Sequence, residues 1–231
     1  MTSSGTKPLL LYSAATPNGQ QAFVILEELK AAYPGIDYDF EKINIPQRQQ
    51  KEPWFLKINP NGRIPALVDR SRDNFSVFES AAISLYLAQK YDKEYKFWFN
   101  PATSPNEYSE MLQWIFFAHG GLGPMMGQCR HSEHFNHLEP AVPYAKNRYI
   151  NETKRLYGVL EIRLADRDYL AGEGRGKYSL ADIKVFPWAS LHVHAGVETL
   201  DEWPGVKSWI ARCIARPGAQ AGLSAPGALY T

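Results

Sequence analysis

The chain has 231 residues, 45% hydrophobic and 21% charged, and its 25 basic and 24 acidic side chains leave a formal charge of +1. That length is enough to bury one large or two small cores. A charge so close to neutral offers no field to draw nucleic acid or anionic lipid, and neither is an expected partner. Its apolar runs, such as Trp114-Ile115-Phe116-Phe117-Ala118, fall far short of the roughly 20 residues of a bilayer-spanning helix. The opening MTSSGTKP lacks the apolar core of a secretory leader. Two cysteines, Cys129 and Cys213, read as free thiols of a reducing compartment, so a cytoplasmic protein is expected.

Leu9-Leu10-Leu11 is short and apolar, as a buried strand is. It runs into the turn Thr16-Pro17-Asn18-Gly19, and a helix follows with Ala22, Ile25, Leu26 and Leu29 on one face and Glu27, Glu28 and Lys30 turned outward. Ile36, Tyr38 and Phe40 then alternate with Asp37, Asp39 and Glu41, the period of a half-exposed strand. EPWFLKI suggests one helical turn, followed by the turn Asn59-Pro60-Asn61-Gly62 and a strand from Ile64 to Val68. Pro65 has no ladder donor and belongs at a strand start or at a special bond. FSVFES supplies a fourth strand, and Ile83, Leu87 and Tyr91 mark a helix.

The order β-α-β-α-β-β-α is complete by Tyr91, which gives an α/β domain over 1–92, a proline-bearing linker over 93–105 and an all-α domain over 106–231. Helices are expected at 107–119, 143–167, 180–195 and 206–215, and the Pro/Gly/Ala-rich end from Arg216 as an irregular tail. YSLAD carries a capping box, Ser179 with Asp182, whose plain role is to stabilise a helix start. GEGRGKYS departs from the phosphate-loop pattern and reads as a turn. His131, His134 and His137 invite a metal, but on a helix the third drifts off the face of the first two, so none is expected.

TPNG, NPNGRIPALVD, FESAAISLYLA, QWIFF, GGLGPMMGQ, HFNH, PYAKNRY and YSLADI follow one another along nearly the whole chain. In order and spacing they resemble the cytosolic glutathione transferases. Within that family the resemblance is to the fungal class related to the yeast nitrogen-catabolite regulator and to the bacterial nu-class disulfide-bond reductases. It implies a thioredoxin-like first domain, a cis bond before Pro65, a homodimer, and glutathione as co-substrate near the domain interface. The chain shows no Asn/Gln-rich stretch of the kind that makes the yeast regulator a prion, so that regulatory role is not expected to transfer.

The resemblance also implies site roles. Ser80, at a helix start, would seat the γ-glutamyl carboxylate and Glu79 the ammonium; read locally, the same pair is a cap and a helix-dipole partner. The backbone of Ile64, before Pro65, would meet the cysteinyl part. Gln50 and Arg63 would approach the glycyl carboxylate, though alone they read as solvated side chains. Arg148 matches a residue that the bacterial relatives use near the ligand.

Thioredoxin-type folds place a reactive cysteine at the first strand-to-helix corner, and this chain has none there. The sulfur must then come with the tripeptide. Moving a thiol pKa from about 8.5 to about 6.5 takes roughly 2.7 kcal/mol. A hydrogen bond to a charged acceptor contributes about 1.5–3 kcal/mol and a helix N-terminus about 0.3–1. Asn18 is the first candidate donor, Thr16 the second and Ser13 the third, with Tyr12 as a further rival; Asn18 as a simple N-cap is the competing reading.

Such a thiolate attacks an electrophilic carbon, a peroxide or a disulfide. Trp114, Phe116, Phe117, His119, Met125 and Met126 suit the wall of a hydrophobic second-substrate pocket and equally suit core or dimer contacts. The alternative function is a glutathione- and ligand-binding regulator or carrier with little catalysis.

Overall fold

The computed structural model describes residues 6–135 and 143–225, the side chains of 130–135 excepted. Its packing divides into two units, Met1–Tyr95 with Arg216–Thr231, and Lys96–Ala215. The first holds β1 (Leu9–Ser13), α1 (Pro17–Ala32), β2 (Tyr38–Lys42), α2 (Pro53–Ile58), β3 (Ala66–Asp69), β4 (Phe75–Phe78) and α3 (Ser80–Tyr91). The strands form one sheet in the order β2-β1-β3-β4. β1 runs parallel to β2, with Leu9 opposite Tyr38, and antiparallel to β3, with Leu9 opposite Asp69. A parallel pair needs a long crossover, and α1 is that connection.

This is the thioredoxin-like architecture. Leu9 and Leu11 of β1 and all four residues of β3 are buried, as expected of central strands covered on both faces. α1 and α3 pack against each other. Ile43, Phe55 and Ala66 form a separate small core, against which Tyr12, Trp54, Ile58 and Ile64 lean. Tyr12 therefore points into packing, with its ring 5.8 Å from that of Trp54 and edge-on to Phe55 at 6.1 Å.

The second unit is helical: α4 (Pro105–Phe117), a π-type turn (Ala118–Leu122), α5 (Gly123–Phe135), α6 (Pro143–Leu164), α7 (Leu180–Ala189) and α8 (Pro204–Ile214). α5 is a helix that the sequence pattern did not indicate. Pro124 falls in its first turn, where a missing N–H costs nothing, and a Cβ on Gly123 would stand 3.2 Å from the Trp188 ring. α7 stops at Ala189, shorter than its expected reach, with Pro187 inside it and a 3-10 turn (His192–Ala195) after it. Ser179 and Asp182 form the anticipated capping box. Asp182 also accepts from Leu170 N at 3.0 Å and from Trp209 Nε1 at 2.8 Å, tying the α7 start to α8 and to the loop before it.

The tail holds a further helix, α9 (Pro217–Leu223), which belongs with the first unit. It lies on α1 at backbone contact: a Cβ on Gly222 would fall 2.5 Å from Val24 Cα, and one on Gly218 2.8 Å from Glu28 Cα. Arg216, just before α9, forks onto Glu28 at 2.7 and 2.9 Å. Glu28, expected to face outward, is therefore 3% exposed. Among the described residues no helix is long and apolar enough to cross a membrane.

Candidate functional site

β1 ends at Ser13, and the chain turns through Ala14 and Ala15 with Thr16 N donating to Ala14 O at 2.8 Å. Pro17, with φ preset for a helix, occupies the first position of α1. Thr16 is thus the N-cap, its Oγ1 accepting from Gly19 N at 3.0 Å. The hydroxyl hydrogen of Thr16 stays available to an outside acceptor. Asn18 is not the cap: it sits on the first turn, half-buried, with Oδ1 3.4 Å from Ser80 Oγ. Gly19 must be small, because a Cβ there would come within 2.6 Å of Ser13 Oγ. Ser13 is fully buried, its Oγ taking no hydrogen bond, which removes it from the surface of the corner. Burial raises the Tyr12 phenol pKa and so keeps it un-ionised; what sets Tyr12 apart from the corner is its packing against Trp54 and Phe55.

The start of α3 faces this corner. Ser80 is its first helical residue, so the cap position falls to Glu79, which makes no side-chain cap bond. Glu79 is held at φ 70°, ψ 118°, a conformation that costs a residue with a side chain about 1–3 kcal/mol. Its carboxylate is exposed, with Asn61 Nδ2 3.4 Å from Oε1. Asn61 belongs to the turn before Pro65, and that turn is built by Asn59. Asn59 is buried, accepting from Asn61 N at 3.0 Å and donating to Arg63 O at 2.7 Å.

The Ile64–Pro65 bond is cis, as the resemblance implies. Ladder pairing begins at Ala66, and among the described residues no hydrogen bond engages the backbone of Ile64. Arg63 is exposed; Gln50 is half-buried on a 3-10 turn (Gln49–Lys51), its Oε1 without a partner. Lys51 ties that turn to Asn61 O at 3.1 Å. A cleft of about 530 Å³ opens beside the corner, between Ala14 and Ala15 on one side and Lys42, Ile43 and Pro46 on the other.

In the second unit, Arg148 and Met125 line one cavity of about 670 Å³ with Tyr144, Asn151 and the ion-paired Glu152 and Arg155. Trp114 and Phe117 do not join it; they pack edge-on to each other at 5.3 Å, and the Arg163 guanidinium lies over the Trp114 ring. His119 falls in the π-type turn, and Phe116 is exposed. The His131 and His134 side chains and all of His137 lie outside the described residues. Among the described residues no His, Cys, Asp and Glu group could hold a metal ion. Sequence reasoning missed Gln21, Asn59 and Asn61; the Asn-Pro-Asn-Gly turn chemistry could have found the last two.

Comparison with known proteins bears on this geometry. The glutathione S-transferase N-terminal domain profile matches residues 8–89 and the C-terminal domain profile residues 132–217. Disulfide-bond oxidoreductase YfcG of Escherichia coli is 41% identical, over 90% of both chains. Protein URE2 of Candida albicans is 34% identical, over 94% of this chain and 70% of that one. The crystal structure of a glutathione transferase homolog from Lodderomyces elongisporus, with two GSH per subunit, superposes with a TM-score of 0.85 at 35% identity. It covers 95% of this chain and 99% of its own. With two domain profiles in order and relatives matching nearly end to end, the chain belongs to the glutathione S-transferase family.

Proposed function

We propose that this chain is a glutathione transferase whose nucleophile is the thiolate of bound glutathione, held ionised by Asn18 and Thr16. The observation that carries the reading is the meeting of two helix starts, with Asn18 Oδ1 3.4 Å from Ser80 Oγ. One start offers polar groups for a sulfur; the other is a helix N-terminus, whose amides and dipole suit a carboxylate. Glu79 takes the glutathione ammonium, the Ile64 backbone with Pro65 beside it takes the cysteinyl amide, and Arg63 with Gln50 takes the glycyl carboxylate. For Arg148 the reading keeps the role near the ligand that the resemblance implies, and for Met125 that of a wall for a hydrophobic second substrate.

With an electrophile the thiolate forms a carbon–sulfur bond as the leaving group departs. With a disulfide it attacks one sulfur, and the other leaves as a thiolate and takes a proton. A second glutathione then resolves the mixed disulfide to glutathione disulfide. With a peroxide the thiolate takes one oxygen as the O–O bond breaks, and the other oxygen leaves as an alkoxide or hydroxide and takes a proton. A second glutathione then converts the sulfenic acid to the disulfide and water. The lack of a corner cysteine routes every one of these steps through glutathione sulfur. Disulfide reduction is favoured among them by the name of the bacterial relative, a disulfide-bond oxidoreductase. The reading includes a cytoplasmic homodimer; two buried cysteines outside any disulfide suit a reducing compartment.

Turnover of a chlorodinitrobenzene-type electrophile and of a hydroxyethyl-type disulfide, each with glutathione, tests the reading. Asn18→Ala should lower kcat about tenfold to a hundredfold, the worth of one charge-assisted hydrogen bond, with little change in glutathione affinity. Unchanged kcat in that variant overturns the assignment. Retention on glutathione resin with no turnover of either substrate favours the carrier.

A further inference from the structure

Gln21 is an amide almost wholly removed from solvent on α1, one turn beyond Thr16 and Asn18. Its Nε2 donates to Ser80 O at 3.0 Å and lies 2.9 Å from Ser84 Oγ. Ser84 Oγ in turn donates to the same Ser80 carbonyl at 3.2 Å. A carbonyl only accepts, so the amide orientation is dictated by its partner. Gln21 Oε1 is buried and takes no hydrogen bond. A desolvated, unsatisfied acceptor costs free energy, so stability alone would be served at least as well by an apolar side chain of that size.

The contact does, however, fix one distance. At their far ends α1 and α3 are joined by Tyr33, whose hydroxyl donates to Asp92. At the near end Gln21 donates to the carbonyl of Ser80, the first residue of α3, beside the contact of Asn18 with the Ser80 hydroxyl. Moving Ser80 relative to Asn18 would separate the sulfur donors from the carboxylate seat.

Resting on the glutathione-site reading above, we infer that Gln21 is a positioning residue that sets the spacing of the two helix starts, and through it both affinity for glutathione and ionisation of its thiol. It touches no substrate atom itself. Reactivity is sensitive to displacements of about 1 Å, which is why a residue behind the site matters.

The test uses the full-length protein with glutathione as the probe. Glutathione affinity is read by calorimetry, and thiolate formation by ultraviolet absorbance against pH. Gln21→Met keeps the volume and removes the donor. Its expected result is binding weakened about fivefold, a thiolate titration displaced to higher pH, and a thermal midpoint unchanged or higher. Equal affinity and an equal titration curve overturn the inference and leave the site reading intact. A wild-type protein that does not bind glutathione overturns both. Should Gln21→Met fail to fold, Gln21→Leu, which also removes the donor to Ser80 O, is read in its place: weaker binding and a titration displaced to higher pH are expected, and no change in either also overturns the inference.

Discussion

Glu28 carries a carboxylate onto the face of α1 that α9 covers, and the two-pronged Arg216 contact is what makes that burial tolerable. Arg216→Ala should cost about 2–3 kcal/mol of unfolding free energy, somewhat under the 3–5 of a fully buried pair because Arg216 reaches solvent. Urea denaturation measures it, and a loss below about 0.5 kcal/mol would mean the carboxylate finds water instead. Sequence pattern could not reveal this partner, 188 residues away; Glu27-Glu28 with Lys30 reads as a wet face. The cap falls at Thr16 and not at Asn18, the cap the sequence offered, because Pro17 takes the first helical position and places the cap one residue before it.

Asp182 is the other residue with a measurable consequence. Complete burial raises its pKa from 3.8 to about 6, against the pull of hydrogen bonds from Trp209, Leu170 and Ser179. An acid whose pKa is higher folded than unfolded holds its proton more tightly when folded. Its contribution is full below pH 3.8 and declines as pH rises through about 6. The stability advantage of the wild type over Asp182→Asn should therefore shrink by about 2 kcal/mol between pH 4 and pH 6.5. An advantage that grows over that range would show that the hydrogen bonds outweigh desolvation.

At the scale of elements, α9 is held by shape. Its two glycines, four residues apart, let it meet the α1 backbone, so a methyl group there has nowhere to go. Gly222→Ala should cost about 1–3 kcal/mol and speed hydrogen exchange along α9 and the middle of α1; a neutral effect would mean the helices part without penalty. α5 and α9 were both illegible for one reason. Glycine and proline lower helix propensity, and only close approach of a neighbour, Trp188 in one case and α1 in the other, turns a poor helix former into the residue that fits. The strands and α1 to α3 were legible because period-two and period-four patterns sit between clear turns.

Over the whole molecule the α/β-then-helical order emerges from those patterns, and the family profiles cover both parts. That the last helix joins the first unit does not emerge, because it depends on a contact that closes the chain end back onto α1. The candidate site was legible where backbone chemistry restricts the residue type, as at the special bond of Pro65 and the helix start at Ser80. It was not legible where a buried amide such as Gln21 acts across 59 residues.

The placement of the sulfur carries the account. A crystal structure of this protein with glutathione should put the tripeptide sulfur within about 3.5 Å of the Asn18 amide or the Thr16 hydroxyl. A sulfur more than about 4 Å from every donor at that corner would contradict it.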